Sequence, residues 1–240
     1  METEIIRINK FLSEAGICSR RGADRLVEEG RVSIDGRTAV LGDQILPGQK
    51  VLVDGREVQR EDEKILIAFH KPKGIVCTAE KREKNNIIHY INYPKRIYPV
   101  GRLDKESEGL ILLTNDGELG NEILKARNFH EKEYIVTVNR PVTDEFLHGM
   151  AGGVPILDTM TRKCKVEKLD KRKFRIVLTQ GLNRQIRRMC EYFGYRVVKL
   201  VRVRIMNIKL GDLPVGNYRN LTHQEWGELL ALLSESGKEE

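Results

Sequence analysis

Residues 101–117 read GRLDKESEGLILLTNDG, and the short apolar run Leu110–Leu113 within it constrains the chain most. A run of this length, bounded by a polar loop and by the turn Asn115-Asp116-Gly117, reads as a buried strand. One carboxylate, Asp104, stands at the mouth of that strand beside Arg102. An acid held there, with the strand buried behind it, is suited to chemistry in a cleft.

A chain of 240 residues can bury a full core and form one large domain or two unequal ones. No apolar run approaches the length of a membrane span, and the start, METEIIRINK, lacks the apolar stretch of a signal peptide. The expectation is a cytoplasmic protein with no membrane partner. Its net charge of +7 suggests a polyanionic partner, nucleic acid above all. The surplus is uneven. Residues 1–64 carry 11 Lys and Arg against 13 Asp and Glu, and residues 65–240 carry 31 against 22. Cys18, Cys77, Cys164 and Cys190 are isolated, with no C-x-x-C spacing, and the five histidines are scattered. Neither disulfides nor a metal site is expected.

The first 60 residues form a separate small unit. Ile8, Phe11, Leu12 and Ala15 recur at helical spacing and Gly16 closes that helix. Ser19 can cap a second helix, with Leu26 and Val27 inward and Gly30 as its stop. Arg20, Arg21 and Arg25 lie near its N-terminus. Asp35-Gly36 and Asp54-Gly55 signal two hairpins. IRINKFLSEAGICSRRGADRLVEEGRVSIDGRTA resembles the S4 RNA-binding domain, a helix-helix-strand module. The resemblance implies that Arg20 and Arg21 meet RNA phosphates, in keeping with anion binding at helix N-termini.

The domain boundaries expected are 1–61 for this module, 62–64 as a charged linker, 65–236 for a larger domain and 237–240 as a tail. In the larger domain, Ile65–Phe69 reads as a strand, Pro72 and Gly74 as a turn, and Ile75–Thr78 as the returning strand. Further strands are expected at 109–114, 132–138, 164–169, 174–179 and 197–210. Helices are expected near 118–127, 143–150, 184–193 and 222–233. Thr222 and Glu225 make a capping box for the last helix, with Trp226, Leu229, Leu230 and Leu233 on one face, and Ser234–Glu240 as a frayed end. Adjoining strands that outnumber helices make the fold α+β with a mixed, largely antiparallel sheet.

In GLNRQIRRMCEYFG, 181–194, the residues Ile186, Met189, Cys190 and Phe193 mark the core face of a helix. Arg184, Arg187 and Arg188 share another side, at i, i+3 and i+4 in the first turns. Three guanidiniums there repel one another without an anion, so they are candidates for anion binding. In EKEYIVTV, 131–138, Tyr134 alternates with Lys132 and Val136. A tyrosine so placed is core by pattern, and also a platform for an unpaired base. His70 reads as a strand-end residue.

KPKG at 71–74, GRLDKESEGLILLTNDG, KEY at 132–134 and GLNRQIRRM at 181–189 together resemble the pseudouridine synthases with an N-terminal S4 domain, which modify ribosomal RNA. QGLNRQIRRMCEYFGY most resembles the F-type members that act on large-subunit (23S) rRNA. Ser107 stands where many relatives have Thr, which keeps the hydroxyl. The resemblance implies Asp104 as nucleophile or base, with Arg187 pairing with it to order the site. It implies that Tyr134 stacks on the target uracil and assists proton removal from C5. Arg102 would hold the RNA or space the flipped base. Arg184 and Arg188, from their own charge pattern, are the candidates for binding substrate. No cofactor, nucleotide or metal is implied.

Pseudouridylation breaks the N1–C1′ bond of uridine, turns the base and joins C5 to C1′. A carboxylate can stabilise the electron-poor anomeric carbon, as in glycoside hydrolysis, or can abstract a sugar proton first. A target base within folded RNA must leave its stack. The substrates left open are large-subunit rRNA, small-subunit rRNA and a tRNA anticodon arm. The rival readings are a non-catalytic ribosome-assembly factor and an RNA N-glycosidase. A monomer is the default.

Overall fold

The structure, a computed structural model, describes residues 5–61, 63–80, 82–125 and 129–236. Asp62 of the expected linker and the expected tail, 237–240, lie outside the described residues. The chain packs into two compact units, Met1–Ile65 with Tyr93–Arg96, and Leu66–Asn92 with Ile97–Glu240.

The first unit runs β1 (Ile6–Arg7), α1 (Ile8–Glu14), α2 (Arg20–Glu28), β2 (Val32–Ile34), β3 (Arg37–Thr38), β4 (Gln44–Ile45), β5 (Val51–Val53) and β6 (Arg56–Val58). Gly16 ends the first helical segment at φ +77°. Ser19 caps α2, its Oγ accepting from the Gly22 N–H at 3.1 Å. Asp35-Gly36 and Asp54-Gly55 each place two successive residues at positive φ, the turn geometry that matches strand twist in a two-residue hairpin. The hairpins join through β2 and β5 into a sheet ordered β3-β2-β5-β6. Ile8, Leu12, Val27 and Ile34 are buried between helices and sheet, with Leu26 packed at the margin.

The second unit runs β7 (Leu66–Lys71), α3 (Ile87–Ile91), β8 (Tyr98–Pro99), β9 (Glu108–Thr114), α4 (Gly117–Leu124), β10 (Lys132–Val138), α5 (Asp144–Gly152), β11 (Pro155–Ile156), β12 (Thr159–Met160), β13 (Lys165–Asp170), β14 (Lys173–Leu178), α6 (Gln185–Tyr192), β15 (Val197–Ile205), β16 (Ile208–Lys209), β17 (Tyr218–Asn220) and α7 (His223–Ser236). Its main sheet is ordered β13-β14-β10-β15-β9-β7-β17. Among the described residues only the β15–β9 strand pairing of this sheet is parallel, so the fold is α+β with a mixed, largely antiparallel sheet. Leu110–Leu113 of β9 are completely buried, as the apolar run requires.

The parallel pair needs a glycine. Gly109 sits at φ +117°, and a Cβ there would lie 2.3 Å from the Arg202 carbonyl oxygen and 2.5 Å from its nitrogen. Asp116 caps α4, accepting from the Glu118 and Leu119 N–H groups. The turn 115–117 is therefore structural. The capping box of α7 closes both ways, with Glu225 N–H to Thr222 Oγ1 at 3.1 Å and Thr222 N–H to the Glu225 carboxylate at 2.9 Å.

Four expectations need correction. Ile75–Thr78 is not a returning strand. Both edges of β7 are taken, by β9 and β17, and the segment makes a lone bridge, Val76 with Asn86. The expected strand 197–210 turns back at Met206, φ +50°, into the hairpin β15–β16. Leu230 is 46% exposed, because the α7 stripe runs through Trp226, Leu229 and Leu233. Ser234–Ser236 are the helical end of α7 rather than a frayed tail. The short elements α3, β8 and β17 carry too few residues for periodicity to reveal them.

Candidate active site

The second unit contains a cleft of about 650 Å³ between the loop before β9, the strands β10 and β15, and the start of α6. Arg102, Asp104, Tyr134, Arg184 and Arg187 all line it. These five residues, up to 85 positions apart in sequence, thus meet at one opening.

The loop carrying Asp104 is fastened from behind. Leu103 is buried, its N–H bonds the Cys77 sulfur at 3.4 Å, and the Cys77 thiol donates to the Leu103 carbonyl at 3.3 Å. The Gly74 N–H donates to the Lys105 carbonyl at 2.7 Å, and the Ser107 N–H closes a turn on the Asp104 carbonyl at 3.0 Å. The Lys71 side chain, fully buried, folds back onto the carbonyls of Pro72 and Ile75 at 2.8 and 2.9 Å. Burial pushes its amine below the usual lysine range and the Cys77 thiol above that of a free cysteine. The KPKG segment therefore buttresses the acid's loop. Neither Cys77 nor the lysine's inward fold was legible from sequence, although a cysteine and a lysine flanking a Pro-Gly turn were the available signal.

Arg187 is 9% exposed at the start of α6. Its Nη2 donates to Ser107 Oγ at 3.1 Å and to the Glu106 carbonyl at 3.3 Å. Its Nε is buried without a hydrogen-bond partner and stands 3.8 Å from Asp104 Oδ2. Asp104 keeps a third of its side chain exposed to the cleft. Such a carboxylate, anchored through its loop and faced by a fixed cation, can attack an electron-poor carbon or accept a proton.

The three α6 arginines do not stack. Arg184 stands outside the helix at its N-cap, φ +50°, and pairs with Glu106 at 3.0 Å, which holds that carboxyl below the usual range. Arg188 turns back to Asn183, at 3.1 Å to the carbonyl and 3.2 Å to the side-chain oxygen, and is absent from the cleft lining. The left-handed φ of Arg184 takes it out of the helix, so the i, i+3 spacing to Arg187 does not hold there.

Tyr134 lies on β10, half-buried, between Ile176 of β14 and Arg202 of β15. The β10–β15 register slips there. Glu133 faces Arg204, and Tyr134 then faces Arg202 rather than Val203. Bulges of this kind redirect side chains beside sites. Arg102 is exposed at the cleft edge. Arg20 and Arg21 open α2 in the first unit, exposed beside the Ser19 cap. His70 lies within β7, its Nδ1 2.7 Å from the Leu213 carbonyl, and is a structural residue.

No group of three or more His, Cys, Asp or Glu side chains among the described residues is placed to hold a metal ion. No helix among them is long and apolar enough to cross a membrane.

The family model described as RNA pseudouridylate synthase matches residues 65–192, the segment that builds the cleft from Asp104 to Arg187. The chain belongs to the RNA pseudouridylate synthase family. A second model, the S4 domain, matches residues 6–51 of this synthase. It is 57% identical over 235 residues to the dual-specificity RNA pseudouridine synthase RluF of Salmonella typhi, covering 97% of this chain and 81% of that protein. This bears out the F-type resemblance. It is 34% identical over 235 residues to the ribosomal large subunit pseudouridine synthase B of Bacillus subtilis, covering 94% of this chain and 96% of that one. A crystal structure of a pseudouridylate synthase superposes with a TM-score of 0.69 at 28% identity, covering 93% of this chain and 99% of that one.

Proposed function

We propose that this synthase converts uridine to pseudouridine in ribosomal RNA, with a large-subunit site as its main target, and that Asp104 carries the chemistry. The observation that supports this reading is the pairing of one cleft-facing carboxylate with the buried Arg187 Nε at 3.8 Å, beside Tyr134. The names of the relatives point to RNA of the ribosomal large subunit and to dual specificity. A second RNA, such as a tRNA anticodon arm, is the further substrate that dual specificity would bring.

In this reading the target uridine leaves its stack and enters the cleft, and Tyr134 receives the base on its ring. Asp104 either bonds to C1′ as the N1–C1′ bond breaks or removes a sugar proton first. Arg187, held by Ser107 and Glu106, keeps the carboxylate oriented. Arg102 and Arg184 contact the RNA at the edge of the cleft, and Arg188 meets phosphate outside it. Arg20 and Arg21 bind phosphates through the S4 module, which extends over residues 1–61 and joins the catalytic domain, 65–236, through 62–64. The protein works in the cytoplasm as a monomer.

The test is tritium release from ribosomal RNA labelled at uridine C5, with wild type beside Asp104→Asn. Release by wild type and at least about 1,000-fold less by the variant, at unchanged RNA binding, is the expected result. RNA binding with no release from any rRNA or tRNA would support the assembly-factor reading instead. Free uracil in the products would identify an N-glycosidase.

A further inference from the structure

Two cations in the cleft take no part in the Asp104–Arg187 arrangement. Lys132 and Arg202 lie on the neighbouring strands β10 and β15, and both line the cleft. Lys132 shares a strand face with Tyr134, two residues on, and the register slip after Glu133 puts Arg202 opposite Tyr134 on that same face. Without the slip Val203 would stand there.

Arg202 is 3% exposed. Its Nε donates to the Leu110 carbonyl at 2.6 Å and its Nη1 to the Arg102 carbonyl at 3.4 Å, while Nη2 is buried with no partner. Lys132 is half-buried, with one long hydrogen bond, 3.4 Å to the His130 carbonyl. Burial and the neighbouring Arg202 push its amine down to about 8. Among the described residues no carboxylate pairs with either side chain. A buried donor with no acceptor and a second cation beside it form an arrangement that an anion would complete.

We infer that Lys132 and Arg202 are an anion-holding pair that receives the detached uracil, donating to its carbonyl oxygens as they take up negative charge. The inference rests on the proposed isomerisation. When the N1–C1′ bond breaks, its electron pair leaves with the base, by either route open to Asp104. The uracil is then an anion whose charge is shared between N1 and the two carbonyl oxygens. C5 next bonds to C1′, the C5 proton departs and N1 takes one up, so no atom or electron is gained overall. Cationic donors fixed before the bond breaks favour this step and keep the free base from escaping.

The test uses the full chain in single turnover. The substrate is a synthetic RNA fragment spanning the uridine that wild type modifies, made with uridine or with 5-fluorouridine at that position. Fluorine stabilises the departing anion, so the fluorinated base needs less help from the protein. Lys132→Met keeps the apolar stem and removes the charge. It should slow loss of the target uridine about 100-fold and that of 5-fluorouridine about tenfold less than this, at unchanged RNA affinity. Lys132→Arg should recover most of the rate, and Arg202→Lys should show the same selectivity. Equal slowing on both bases, or no slowing, overturns the inference, as does a loss confined to RNA affinity. A wild-type chain that leaves uridine intact in every RNA overturns the isomerisation itself, and the inference with it.

Discussion

Arg187 donates from Nη2 to Ser107 Oγ at 3.1 Å while its Nε stands 3.8 Å from Asp104 Oδ2, so one guanidinium bridges the anchor and the acid. A lysine has a single point of charge and cannot serve both ends. Arg187→Lys should therefore lower the single-turnover rate about 100-fold with a small change in RNA affinity. It should also cost about 1–3 kcal/mol in urea unfolding, because Ser107 and the Glu106 carbonyl lose a buried partner. A rate within threefold of wild type would show that the bridge has no part in ordering Asp104.

Gly109 is the point where β9 meets β15. Its φ of +117° disfavours any side chain, and a Cβ would collide with Arg202 backbone at 2.3 Å. Gly109→Ala should destabilise the second unit by more than about 3 kcal/mol, measured by denaturant unfolding. Any folded fraction should be poorly active, since β9 carries the Asp104 loop and β15 carries Arg202. An alanine variant of native stability would mean that the strands part without penalty.

Lys132 links stability to pH. Its amine is lowered to about 8, chiefly by burial and secondly by Arg202. Between about pH 8 and the ordinary lysine value near 10.4 the unfolded chain binds more protons than the folded one, so stability from this group rises with pH across that window. Below pH 8 the charged amine is a constant penalty. Lys132→Met should therefore stabilise the protein at pH 7, by about 1–3 kcal/mol, and the gain should shrink as pH rises from 8 towards 10. Urea unfolding of both proteins at pH 7 and pH 9.5 measures this. A gain that is constant with pH would assign the effect to packing. The charge thus opposes folding where the proposed chemistry needs it.

Arg20 and Arg21 are exposed at the start of α2. If they neutralise RNA phosphates, replacing both by Ala should weaken binding and flatten the plot of log affinity against log salt by about one to two units. Filter binding between 50 and 200 mM salt, as a working range for such slopes, gives the answer. An unchanged slope would remove them from the interface.

Features that depend on neighbouring residues are legible in the sequence itself. The Asp35-Gly36 and Asp54-Gly55 turns, the Thr222–Glu225 box, the Ser19 cap and the buried strand at Leu110–Leu113 all have local causes: allowed φ values, reach between adjacent side chains, and apolar content. The motif resemblance named Asp104, Tyr134 and Arg187, and all three line one cleft.

What tertiary structure decided were the choices between equivalent residues and between competing partners. Spacing treats Arg187 and Arg188 alike, but only Arg187 finds Ser107 and Glu106, which are 80 and 81 positions away. Ile75–Thr78 has strand composition, yet β9 and β17 already occupy the edges of β7. Cys77 and Gly74 brace the Asp104 loop through bonds to Leu103 and Lys105, atoms that only folding brings near. The slip that turns Arg202 towards Tyr134 lies in the register of two strands far apart in the chain, and register between distant strands leaves no trace in either strand's own sequence.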